Sequence, residues 1–176
     1  MLLAEWSTIL VRGTAWLSFV FYIATLYGWL SWHGQVKVHQ RLRFCWTIGC
    51  LVFLIHVACA FHLVHHWSHQ SAWDATQLQG GYGDGVYANY LVLIVWLIDV
   101  AWWWLQPQQY IQRPRWIHIA IQGFLFFMWF NAAVVFAHDE LASIGIVGFT
   151  LLAVGVLQWY RRTKQASHPS QESPAQ

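Results

Sequence analysis

His62, His65, His66 and His69 fall within one eight-residue stretch at the end of an apolar segment. Neutral imidazole is the commonest metal ligand, and histidines three or four residues apart on a helix can grip one ion. Wound at roughly 100° per residue, the four share an arc of about 100° and about 10 Å of helix length. Cys59 lies one turn deeper at the edge of that arc, whereas His56 points elsewhere. The spacing therefore predicts a metal ion held by His62, His65, His66 and His69. A further ligand from another helix is expected, and His138 supplies one if its helix ends on the same side. Asp139, Glu140 and Asn89 would orient such ligands by hydrogen bonding. Imidazole-rich sites suit iron, copper or zinc. Haem b, held between His138 and one histidine of the cluster, is the other cofactor this pattern admits. Two plainer readings stand beside these: a hydrogen-bonded, proton-handling polar site, and histidines that simply face lipid headgroups.

The string His62-Leu63-Val64-His65-His66 resembles the HxxHH box of membrane fatty-acid desaturases and hydroxylases, which use two irons. The resemblance covers five residues, and the other two boxes of those enzymes have no counterpart in this chain. It implies that this spacing can serve iron.

A second group of polar residues lies deeper in apolar sequence. Asp99 sits inside a run of Val, Ile, Leu and Trp, about 9 Å from its end at 1.5 Å per residue. A carboxylate in such a place needs a partner or a proton. His118, one turn into the next apolar segment, is the expected partner, and the Asp99–His118 pair reads as structural or as part of a proton path. Gln122 and Asn131 read as hydrogen-bonding glue between helices. Cys45 and Cys50 read as small apolar fillers, and no CxxC pair supports a zinc ribbon or redox dithiol.

The elements that position these residues follow from composition. The chain has 176 residues, is 58% hydrophobic and only 9% charged. Soluble domains carry about 25% charged residues, so this chain cannot coat a water-facing surface. Five apolar stretches approach the ~20 residues needed to span a bilayer: 14–32, 44–69, 86–105, 116–137 and 141–160. The expectation is an all-α, polytopic membrane bundle of about five helices over 1–160, followed by a disordered polar tail over 161–176.

Basic residues cluster at alternate connections: Lys37, Arg41 and Arg43, then Arg113 and Arg115, then Arg161, Arg162 and Lys164. Opposite them lie Asp74, Asp84, Asp139 and Glu140, with Arg12 as the one basic residue. By the positive-inside rule the N-terminus is outside and the C-terminus cytoplasmic, as in a multi-pass protein of the cytoplasmic (inner) membrane. The N-terminal segment has no cleavable-signal pattern and is expected to target the chain itself. Trp102, Trp103 and Trp104 are expected to form an aromatic belt on the cytoplasmic side, with Trp6, Trp16 and Trp73 opposite. The segment 70–85, ending Gly-Gly-Tyr-Gly-Asp-Gly, reads as a flexible loop.

A net charge of +2, scattered over loops, excludes a nucleic-acid partner as the reading of choice. The bilayer, and other membrane subunits, are the expected partners. Two functional readings from different classes follow. The first is a metal- or haem-binding protein serving redox chemistry or electron transfer within a larger complex. The second is a cofactor-free structural or accessory subunit. A proton-coupled carrier using Asp99 is a third, disfavoured by the absence of internal repeats.

Overall fold

In the computed structural model the backbone is described for residues 2–31, 36–135 and 141–166. The described residues are helical apart from short turns and contain no strand. The helices are α1 (Leu2–Ser31), α2 (Val36–Leu63), α3 (His69–Gly80), α4 (Gly85–Leu105), α5 (Pro107–Gln112), α6 (Arg115–Phe130) and α7 (Leu141–Ala166). A π-helical turn, Asn131–Val135, extends α6. Four spans are long and apolar enough to cross a membrane: Glu5–Leu30, His39–Leu63, Gly85–Leu105 and Arg115–Val135. A shorter apolar stretch, Gly145–Gln158, lies within α7. The chain is thus an all-α, multi-pass membrane bundle. α7 continues through the basic residues to Ala166, past the expected helix end at 160.

The long helices form a ring. Antiparallel α1 and α2 meet where the Ser18 hydroxyl donates to the Gly49 carbonyl at 2.9 Å, and where His56 Nδ1 meets the Val11 carbonyl at 2.9 Å. α2 meets α4 through Trp46 and Asp99, and α6 reaches α1 where Tyr22 donates to the Gln122 carbonyl at 3.3 Å. α7 closes the ring by lying parallel to α1, with Gly148 against Phe19 and Gly155 against Tyr27. Gly145, on the same face, lies so close to the π turn that a Cβ would collide with the Ala133 carbonyl oxygen. Small residues serve this purpose in membrane bundles because dispersion contact replaces the hydrophobic drive between helices.

Aromatic side chains fill the ring. Tyr22 of α1 lies 6.0 Å from Trp46, 6.2 Å from Trp96 and 6.2 Å from Trp129, so four helices each contribute one ring. Trp46 and Trp96 approach to 4.8 Å. All four are buried. Consecutive helical residues diverge by about 100°, and the three-tryptophan run divides accordingly. Trp103 is buried and stacks on Tyr110 at 4.4 Å, Trp102 is half-buried, and Trp104 faces outward. The expected belt of three tryptophans is therefore one tryptophan.

Because Gly145 has no room for a side chain, Gly145→Leu is expected to push α7 off the ring. The cost of such overpacking is about 1–3 kcal/mol. Gly123, which has open space where a Cβ would go, is the control. Thermal unfolding in mild detergent should show a lower midpoint for Gly145→Leu and no loss for Gly123→Ala.

Candidate functional site

The acidic end holds the histidines, and the geometry there departs from the sequence expectation. α2 ends at Leu63 rather than continuing to His69. His66 and Trp67 both adopt left-handed backbone, with φ 48° and 59°. Such values are uncommon for residues other than glycine, and two in succession end a right-handed helix. Two of the last carbonyls stay satisfied: Val64 and His65 donate to Ala60, and Trp67 donates to Phe61. Ser68 then caps α3 by accepting from the Ser71 amide at 3.2 Å, as serine does at this position. The helical arc that would have gathered the four imidazoles is therefore broken after His62.

Three of the four imidazoles find separate neighbours. His62 Nδ1 lies 3.4 Å from the Trp67 indole nitrogen, which donates. His65 Nδ1 lies 3.4 Å from the Ser71 hydroxyl. His69 opens α3 and sits between two tyrosines of α4, with Nδ1 3.0 Å from the Tyr90 hydroxyl and Nε2 3.3 Å from the Tyr87 hydroxyl. His66 is exposed, as is Asn89. Among the described residues no three His, Cys, Asp or Glu side chains are placed to hold a metal ion. His138, Asp139 and Glu140 lie outside the described residues.

The segment after the histidines is built rather than loose. α3 replaces the expected loop, and its Trp73 donates to Asp84 at 3.0 Å. Gln77 accepts from the Gly83 amide at 2.6 Å and donates to the Gly81 carbonyl at 3.0 Å. Gly83 lies under the Trp73 ring, where any Cβ would collide. The glycines thus serve close packing as much as turning.

The denser polar site lies at the other, basic end, around Asp99. This carboxylate is fully buried. One oxygen, Oδ2, accepts from the Trp46 indole and from the Tyr110 hydroxyl, both at 2.9 Å. Oδ1 pairs with Arg113, itself nearly buried. Arg113 also donates to the Tyr110 hydroxyl at 3.1 Å and to His118 Nδ1 at 2.7 Å. Its guanidinium lies 3.9 Å from the Tyr110 ring centre, within cation–π range. The expected Asp99–His118 pair is replaced by a chain in which Arg113 stands between the two. A guanidinium presents donors only, so His118 Nδ1 is the acceptor.

Proline makes this possible. Pro107 opens α5 and Pro114 follows Arg113 directly, so the α4–α6 connection folds back as one short helical turn. Tyr110, buried on that turn, has its hydroxyl pushed well above the usual phenol range, by burial first and by the Asp99 charge second. It stays protonated and donates.

The other sequence-singled residues are bonded locally. Asn131 donates to the Phe127 carbonyl of its own helix at 2.7 Å and bridges no helices among the described residues. Gln122 bridges through its backbone carbonyl, and its side-chain oxygen has no partner among the described residues. Arg113 and Tyr110 were not singled out in the sequence. The signal for them was the unpaired charge of Asp99 followed by a proline-bracketed turn carrying a cation. Compared with known proteins, the chain matches no family model, no curated protein and no solved structure.

Two outcomes test this geometry. Asp99→Asn removes the countercharge of a buried guanidinium, which costs about 3–5 kcal/mol in such pairs. Joint replacement, Asp99→Leu with Arg113→Met, should recover part of that loss; an unfolding midpoint as low as that of the single variant would show that charge balance is not what Asp99 supplies. The second outcome concerns the histidine turn. Burial, and then the neighbouring His66, hold His65 below the usual imidazole range. A depressed folded-state value means that the unfolded turn binds more protons, so stability is full above about pH 6.5 and falls as pH drops below it. Hydrogen exchange at the Ser68–Ser71 amides, corrected for its intrinsic pH dependence, should show weaker protection at pH 5.5 than at pH 7.5.

Proposed function

We propose that the chain is a structural or accessory subunit of a larger membrane complex and needs no bound metal ion or haem for that role. The observation carrying this reading is the filled centre of the ring. Tyr22, Trp46, Trp96 and Trp129 occupy it, and Asp99, beside them, has both carboxylate oxygens bonded. A proton-coupled carrier needs a carboxylate that can take up and release a proton facing a pathway. Asp99 instead anchors a neutral, internally satisfied network, which suits a rigid scaffold. Long apolar helices with many outward side chains offer surface to lipid and to neighbouring helices alike.

The second reading, a histidine-bound iron, copper or zinc ion or haem b for electron transfer, rests on the placement of four imidazoles over 62–69 at the end of α2. In that reading His138, with Asp139 or Glu140, completes the ligand set. We place the protein in the cytoplasmic membrane with its basic end inward, because the bundle gathers Arg41, Arg43, Arg113, Arg115 and Arg161 at one end.

Purification of the full chain at native expression level in gentle detergent separates the readings. The accessory reading expects stoichiometric co-purifying membrane proteins and a colourless sample. A lone, monodisperse protein counts against it. A Soret band, or one equivalent of metal lost in His66→Ala and kept in His56→Ala, establishes the second reading instead.

A further inference from the structure

We infer that Arg43 and Trp104 form a binding site for the phosphate of an anionic phospholipid at the basic end of the bundle. The inference starts from charge. The chain has seven carboxylate side chains. Glu5, Asp74, Asp84, Asp139 and Glu140 belong to the acidic end by their place in the helix order, and Glu172 lies in the tail outside the described residues. Asp99 alone remains at the basic end among the spans, and it is committed to Arg113. Arg41, Arg43, Arg115 and Arg161 therefore have no carboxylate partner among the described residues.

Arg43 differs from the others in being held in place. Its guanidinium carbon lies 4.1 Å from the centre of the Trp104 ring. The Trp104 plane is itself fixed, because its indole N–H donates to the Thr47 hydroxyl at 2.9 Å, and Phe44 packs edge-on against it at 5.3 Å. The arginine Nε is shielded from solvent and has no hydrogen-bond partner among the described residues, which leaves the remaining guanidinium nitrogens to meet an anion. A guanidinium held over an aromatic face presents a preorganised fork of donors that matches a phosphate. An uncompensated cation held in one place at the basic end suits an anionic headgroup.

The surroundings select the source of that phosphate. Phe44, Trp104 and Leu105 present exposed apolar surface beside the arginine at the ends of α2 and α4. That combination, a cation directly above apolar and tryptophan surface, matches the junction of headgroup and acyl chain. Free phosphate would gain nothing from Phe44 and Leu105, and a zwitterionic headgroup would leave the excess positive charge unmet. A lipid of net negative charge satisfies both.

The test uses the full chain in nanodiscs of phosphatidylcholine with and without phosphatidylglycerol, read by native mass spectrometry and by the unfolding midpoint. Phosphatidylglycerol should be retained over phosphatidylcholine and should raise the midpoint. Arg43→Gln should weaken its retention about fivefold, the worth of one basic residue at an anionic surface. Arg12→Gln, at the opposite end, should leave retention unchanged. Equal retention of the two lipids, equal loss in both variants, or displacement of the lipid by millimolar inorganic phosphate overturns the proposal. Should Arg43→Gln fail to fold, the wild-type comparison of the two lipids and the phosphate competition still decide it.

Discussion

A carboxylate placed among apolar helices must be neutralised or bonded on every lone pair, and the way Asp99 meets that demand organises the basic half of this protein. Four elements supply what it needs. α2 sends the Trp46 indole, α5 sends the Tyr110 hydroxyl, the following turn sends the Arg113 guanidinium, and α6 sends His118 to hold the guanidinium from behind. The pairing energy in a low-dielectric interior only offsets the cost of taking both charges out of water. What the network supplies is therefore register: the four elements satisfy their polar groups in one arrangement. The aromatic faces of Tyr110 and Trp102 complete the enclosure, within 3.9 Å and 5.7 Å of the guanidinium carbon.

The middle of the bundle is held by a different force. In lipid, apolar surface has no preference for helix over acyl chain, so contact area and shape decide which helices stay together. Large flat rings meet that demand well, and Tyr22, Trp46, Trp96 and Trp129 bring four helices to one point. Where bulk would keep helices apart, glycine takes over, as on the face of α7. The two ends then differ in character. The basic end is tied by a buried charge pair, while the acidic end is covered by the short helix α3, fixed by Trp73 and Gln77.

The fold class was legible because hydropathy over twenty residues is a strong and local signal. The depth of Asp99, the different environment of His56 and the approximate limits of four spans were readable for the same reason. What was not legible depended on single backbone angles. The predicted histidine face assumed unbroken helix through residue 69, yet His66 and Trp67 carry left-handed φ with no glycine or proline to announce it. The sequence places Arg113 only at a basic connection between two spans, directly before Pro114. Its burial follows from a partner fourteen residues earlier, which no local pattern encodes. α3 was missed because its helical residues are polar and mixed, and its stability comes from packing on α4 and from its Ser68 cap.

The neighbourhood of α1 and α7 has a consequence for biogenesis. A chain emerging in order lays down α1, α2, α4 and α6 before α7 exists, so nascent intermediates have an open seam. Until then the Phe19 and Tyr27 edge of α1 and the Ala133 carbonyl of the π turn have lipid where the glycine face of α7 later sits. Docking of the glycine face of α7 against α1 and the π turn is therefore the step that completes the ring of helices.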